Sequence, residues 1–139
     1  MPRIELLPWN DARAQASRIR FAVFVEEQRV PPEIELDDMD ARCIHALAYA
    51  PDGTAIGTGR LLPDGHIGRM AVIRDWRGRG VGSAILESLV RAAASRGDSR
   101  VVLSAQTHAL DFYRRQGFVA EGEVYEEAGI PHQAMRRTL

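Results

Sequence analysis

Three features of the chain predict an α/β fold built on a mixed sheet. Short apolar runs separated by Pro-Asp-Gly turns read as an antiparallel meander, and the last of them, Met70 to Ile73, enters a glycine-rich turn. An amphipathic helix follows that turn, and a further apolar run, Val101–Ser104, follows the helix. Strand, helix and strand in that order make a crossover, so the meander leads into one parallel connection. At 139 residues the chain is predicted to be a single domain, 1–139, with one hydrophobic core.

From the N-terminus, Ile4 to Leu7 reads as a strand ended by Pro8. Asn10 or Asp11 is placed to cap a helix running to about Gln28, with Ala12, Ala16, Ile19, Ala22 and Val23 along one face. Pro31 and Pro32 stop it. The stretch from Glu33 to Asp40 is then dense in carboxylates, which reads either as a solvated loop or as a mouth that attracts cations. Strands are predicted over about Cys43–Ala50, Thr54–Leu62 and His66–Ile73. Pro51-Asp52-Gly53 and Pro63-Asp64-Gly65 supply the turns, proline presetting φ and glycine allowing it to be positive.

The helix after the glycine turn is predicted from Arg79 to about Ser95, with Val81, Ala84, Ile85, Ser88, Leu89 and Ala92 on one face. His108 to Gln116 reads as a short helix stopped by Gly117, with late strands at Phe118–Ala120 and Gln133–Arg137.

Composition excludes several classes of function. With 45% apolar and 27% charged residues the chain is an ordinary globule. A net charge of −1, with arginines scattered along the chain, argues against a nucleic-acid-binding module or an electrostatic grip on membrane. All 18 basic residues are arginine. Cys43 is the only cysteine, so no internal disulfide forms. The start of the chain is too polar for a signal peptide and no run has membrane-spanning length, so the expected location is cytoplasmic. The four histidines and one cysteine show no metal-ligand spacing, and no metal is expected.

The glycine turn carries the chemistry. Gly78, Gly80 and Gly82 stand immediately before a helix whose first turn has unpaired N–H groups and a partial positive charge. Glycines leave those groups open to a phosphate, and Arg77 and Arg79 add cations. A P-loop would need Lys-Ser/Thr after the last glycine, where this chain has Ser83-Ala84. A dinucleotide fingerprint would be G-x-G-x-x-G with an acidic residue closing the next strand; here the spacing is G-x-G-x-G and Asp98 lies in a turn.

Arg77-Gly78-Arg79-Gly80-Val81-Gly82 resembles the acetyl-CoA signature R/Q-x-x-G-x-G/A of the GNAT superfamily of N-acetyltransferases. One strand and one helix later, Gln106 to Phe118, with Ala109, Phe112, Tyr113, Gly117 and Phe118 in place, resembles that family's second motif. Val23–Gln28, Ala105–His108 and the ending Glu127–Met135 are similar to its ElaA-like branch. Gln106 departs from the general pattern, in which asparagine is common.

The resemblance implies a GNAT-like acyltransferase fold with a splayed central strand pair, and acetyl-CoA as co-substrate. Its pyrophosphate would lie on the N–H groups of Arg77 to Gly82 and Ser83, with Gln106 near the cofactor and the pantetheine arm beside Met70, Ala71 and Val72. A strand N–H would polarise the thioester. Tyr113 would be the general acid for the departing thiolate, a role suited to a phenol. The acceptor would be a small-molecule or peptide amine. Amines are almost wholly protonated at neutral pH, so a base, a water relay or a pocket that lowers the amine pKa is required. Glu27, Glu33, Glu35, His108 and His132 are candidates, and sequence does not choose among them. The same fold also serves as a non-catalytic acyl-CoA sensor, and GNAT proteins frequently form homodimers.

Overall fold

The structure is a computed structural model that describes residues 2–35 and 37–139; Met1, and Leu36 within the acidic run, lie outside them. The strands are β1 (Arg3–Leu7), β2 (Ile44–Tyr49), β3 (Ala55–Leu61), β4 (Ile67–Val72), β5 (Arg100–Gln106), β6 (Val119–Glu127) and β7 (Ile130–Thr138). The helices are α1 (Trp9–Arg20), the single turn α2 (Pro32–Glu35), α3 (Val81–Ser95) and α4 (Leu110–Arg115). One antiparallel sheet has the order β1-β2-β3-β4, and a second has the order β5-β7-β6.

The predicted crossover joins them. β4, α3 and β5 follow one another, and β4 meets β5 at a parallel bridge between His66 and Val102, beside a bond from the Val102 N–H to the Gly65 carbonyl (3.1 Å). Beyond that bridge the two strands part, so β4 is hydrogen-bonded as a strand to β3 alone. This is the splayed pair.

Alternate residues of β2 feed two cores, as the strand period requires. Ala46 and Ala48 pack with Ile85 and Leu89 of α3, whereas Leu47 packs with Ala12, Ala16 and Ile19 of α1. The first sheet is thus covered on both faces, which explains why every residue of β3 is buried. Helix α3 lies very close to β3. A Cβ built on Gly57 would stand 2.8 Å from Ile85 Cδ1, and one on Gly59 would stand 2.7 Å from Met70 Sδ and 2.9 Å from Ile85 Cγ2. These two glycines are the floor on which the helix rests.

Several boundaries differ from expectation for identifiable reasons. Helix α1 starts at Trp9 directly after Pro8, whose extended backbone serves as the N-cap; Asn10 and Asp11 lie inside the first turn, where the Asp11 carboxylate still suits the helix dipole. Its continuation, Phe21–Glu27, is π-helical, with the Gln28 N–H bonding the Val23 carbonyl. Ala22 is only half-buried there. The inner face of α3 consists of Val81, Ile85, Leu86, Leu89, Val90 and Ala93, so Ala84, Ser88 and Ala92 sit on its flank. The last two strands run to nine residues each, joined by Ala128 (φ +52°) and Gly129 (φ +75°). Two successive positive φ values make the tight hairpin turn that suits twisted strands.

The acidic run folds inward. Arg20, 2% exposed, bonds Glu35 through its Nε and Asp40 through both terminal nitrogens (2.9 and 3.1 Å). Arg60 bonds Asp40 (2.8 Å) and Asp37 (2.7 Å), and Arg69 reaches the Glu35 carbonyl (3.1 Å) and Asp37 (3.2 Å). Three arginines therefore balance three carboxylates beneath the end of α1. This corrects both readings of the run for Glu35, Asp37 and Asp40, leaving Glu33 exposed. No helix among the described residues is long and apolar enough to cross a membrane.

Candidate active site

The gap between β4 and β5 opens into a cavity of about 550 Å³. Residues 67–72 of β4 form one wall, Leu103, Ser104 and Gln106 of β5 the other, and Tyr113 of α4 and His132 of β7 also line it.

Strand β4 presents main chain to this gap. Met70 and Val72 pack with the α3 core and Ala71 with the α1 core, so their side chains leave the sheet on its two faces and the strand edge faces β5. A bulge interrupts the edge: Thr58 pairs with Ala71 and Arg60 with Gly68, which sets Gly59 opposite both Arg69 and Met70. Arg69 takes up the extra residue at φ +49°, a left-handed conformation uncommon outside glycine. No local signal at Gly68-Arg69-Met70 announces this, because the bulge arises from how β4 meets β3.

At one end of the gap stands the glycine turn. Gly78 (φ +74°) and Gly80 (φ +82°) are left-handed, and a Cβ added to either would meet no atom within 4 Å. The first bond of α3 runs from the Ala84 N–H to the Gly80 carbonyl (3.1 Å), so the N–H groups of Val81, Gly82 and Ser83 have no main-chain partner among the described residues. Space and donors coincide here.

The cations of the turn are placed otherwise than expected. Arg77 donates through Nε to the Val72 carbonyl (2.9 Å) and through both terminal nitrogens to Glu27 (2.7 and 2.8 Å), while Arg79 covers the Trp76 ring at 4.9 Å. The Ser83 hydroxyl accepts from Gln116 Nε2 (3.0 Å). Gln106 donates to Gln28 Oε1 (2.9 Å) and accepts from His108 Nε2 (2.7 Å), tying β5 to the end of the first helical segment.

Tyr113 lies in the cavity wall, packed edge-on to Phe112 (5.0 Å) and Phe118 (6.0 Å). Its hydroxyl makes no hydrogen bond to another described residue. Burial pushes it up to about 12, so it remains a proton-bearing phenol throughout the neutral range.

The candidate bases fare unequally. Glu27 is held below the ordinary carboxylate range chiefly by its hydrogen bonds from Arg77; burial opposes this, and the charges of Arg77 and Arg74 add to the lowering. Glu35 is committed to Arg20, Glu33 is exposed, and His108 is exposed with its Nε2 spent on Gln106. His132 is buried on the cavity wall beside Tyr125 and Glu127. Among the described residues no three potential metal ligands converge.

Comparison with known proteins agrees with this geometry. Residues 12–139 match the family described as acetyltransferase (GNAT) domain. An uncharacterised N-acetyltransferase of Bacillus subtilis, YjcF, is 39% identical over 124 residues, which cover 86% of this chain and 87% of that protein. Among solved structures, an acyl-CoA N-acyltransferase from Pseudomonas aeruginosa is 35% identical with a TM-score of 0.87, covering 99% of each chain. Escherichia coli ElaA is 31% identical with a TM-score of 0.86, also covering 99% of each.

Proposed function

The chain belongs to the GNAT acetyltransferase family, whose fold serves acyl-CoA-dependent acyl transfer, and on that premise we propose that it moves an acetyl group from acetyl-CoA directly to the amine of a small molecule or peptide. One observation carries this reading: Tyr113 lines the gap between the parted strands, and the open left-handed glycines follow the end of β4 with three N–H groups that have no main-chain partner among the described residues.

The residues fit the group. A Cβ at Gly78 or Gly80 would project into free space before the helix, where a pyrophosphate needs room, and the N–H groups of Val81, Gly82 and Ser83 would meet its charge. Strand β4, bonded as a strand to β3 alone, leaves its margin along Met70, Ala71 and Val72 open to an extended amide-containing arm, the Val72 carbonyl being already held by Arg77. When bound, acetyl-CoA supplies the activated acyl carbon and a thiolate leaving group.

The chain's own residues supply the rest. A main-chain N–H near the Arg69 bulge stabilises the oxygen that becomes negative during transfer. The Tyr113 hydroxyl gives its proton to the departing sulfur; the phenol carries that proton at every pH near neutrality. Arg77 acts on the turn through structure, holding Val72 and Glu27 together beneath it. A homodimer and a cytoplasmic setting complete the proposal on the strength of the family alone.

The test is calorimetric titration of acetyl-CoA into the pure protein, followed by thiol release with polyamines, amino acids, aminoglycosides and peptide N-termini. Saturable binding with amine-dependent thiol release is the expected result. Binding without release from any amine class would make the protein an acyl-CoA sensor, and absence of binding would remove the reading altogether.

A further inference from the structure

We propose that His132 is the general base, its Nε2 taking the proton from the acceptor amine; the inference rests on the acyl-transfer reading above and assigns the step that reading leaves open. His132 sits in β7 between Gln106 of β5 and Tyr125 of β6, on the wall of the cavity that Tyr113 also lines.

The two ring nitrogens have different surroundings. Nδ1 lies 2.7 Å from the Ile130 carbonyl, which can only accept, so Nδ1 carries the hydrogen. In the neutral ring the lone pair then belongs to Nε2. Nε2 makes no hydrogen bond to a described residue. The Glu127 carboxylate stands 3.6 Å from Nε2, too far for a hydrogen bond. This arrangement, donor nitrogen fixed and acceptor nitrogen free, is what a base requires.

The ring is also held in place. It stacks on Tyr125 with centroids 6.1 Å apart and planes at 24°, and the Tyr125 hydroxyl is bonded to Ser104 Oγ of β5. The hairpin turn at Ala128 and Gly129 sets the register that puts Ile130, His132 and Glu127 together. The other candidates lack one of these properties: Glu27 and Glu35 are paired with arginines, and Glu33 and His108 face solvent.

The protons balance. The ammonium R–NH3⁺ gives one proton to His132 Nε2, and the amine lone pair forms the C–N bond to the acyl carbon. The C–S bond breaks with its electron pair on sulfur, which takes the Tyr113 proton. The second proton lost by nitrogen returns to the Tyr113 phenolate through solvent, and His132 releases its own proton to solvent. The sum is an amide, a free thiol and one proton.

Two variants and one spectrum test this. His132→Gln and His132→Ala should lose about 10²-fold or more in turnover with an amine that the native protein acylates. Acetyl-CoA affinity by calorimetry should stay within about threefold, thermal unfolding should remain cooperative and well above the assay temperature, and added imidazole should restore turnover to His132→Ala alone. In the free protein, long-range ¹⁵N–¹H spectra of the neutral ring should show a protonated Nδ1 and a bare Nε2. Full turnover in a folded His132→Gln protein, no rescue by imidazole, or the opposite tautomer would each overturn the inference while native transfer stands. The spectrum needs no acyl donor, so the opposite tautomer overturns the assignment of His132 even where no amine acceptor is found, whereas failure to find any acceptor counts against the acyl-transfer reading.

Discussion

Arg77 closes a two-pronged bond on Glu27 across fifty residues of chain, at 2.7 and 2.8 Å, while its Nε holds the Val72 carbonyl at 2.9 Å. The π-helical end of the first helical segment, the end of β4 and the glycine turn are thereby fastened at one point. Glu27→Gln should leave turnover within about threefold, because a carboxylate so held is a poor base, and should cost about 0.5–1 kcal/mol in stability as a partly exposed pair. Arg77 lowers the Glu27 pKa, so the pair's contribution is complete above the usual carboxylate range and fades as pH falls below it. Chemical melts at neutral and acid pH check this.

Gly80→Val should weaken acetyl-CoA binding at least tenfold, about 1.4 kcal/mol. The substituted side chain would occupy the space in front of α3, and at φ +82° it would also strain the turn. Calorimetry on a protein whose melting curve remains cooperative is the measurement. An unchanged dissociation constant would move the pyrophosphate elsewhere. Arg77→Ala should weaken binding less, since its guanidinium is already paired.

Tyr113→Phe should lower turnover by about 10² to 10⁴ while acetyl-CoA affinity changes by less than about tenfold. The hydroxyl makes no hydrogen bond to the described residues, so its loss should leave the melting temperature in place. Since burial raises Tyr113 to about 12, the native rate should show no alkaline loss from this group up to about pH 10. Steady-state kinetics across pH reads both.

Asp40→Asn should be the most damaging single change in the arginine–carboxylate cluster, at about 3 kcal/mol or more, because it strands Arg20 and Arg60 without a full counter-charge. The cluster also sets an acid limit. Asp37 is drawn down to about 2, chiefly by its hydrogen bonds from Arg60; Asp40, which burial alone would raise, is brought below its usual value by Arg20 and Arg60. Depressed carboxylates stabilise the fold fully above the ordinary aspartate range near 4, and that stability drains away toward about pH 2. Urea melts at neutral pH, about pH 4 and about pH 3 should show the decline, and Asp37→Asn should flatten it.

Gly59→Ala should destabilise the protein by about 1–3 kcal/mol, since its Cβ would press on Met70, Ile85 and Leu89 at once. Thermal unfolding measures it. Gly53→Ala meets no neighbouring atom and isolates the backbone strain of a left-handed glycine from overpacking.

What could be read from sequence was what neighbours in sequence decide. The glycine turn, α3 and the meander rest on local spacing, and the second motif placed Tyr113 in what proves to be the cavity wall. The pairing of the acidic run is not legible in its own neighbourhood because its partners lie 15 to 34 residues away, at Arg20, Arg60 and Arg69, and composition says nothing of pairing at that range. The α3 stripe is wider than its spacing suggests because one core draws on both sheets: Leu86, Val90 and Ala93 share it with Val101 and Leu103 of β5 and Met135 of β7. His132 was one candidate of several until the β6–β7 register supplied Ile130 for one nitrogen and Glu127 for the surroundings of the other.

The parting of β4 from β5 has a consequence for handling the protein. Past the His66–Val102 bridge, two strand margins face each other without a ladder, and the β4 margin lies in an apolar setting. Such margins recruit any extended chain, including segments of a neighbouring molecule. On the reading proposed above, a ligand with peptide-like groups along its length would pair there as an eighth strand. Samples prepared without such a ligand should therefore cluster more readily on concentration or warming, and saturating the slot should suppress association as well as raise the melting temperature by mass action.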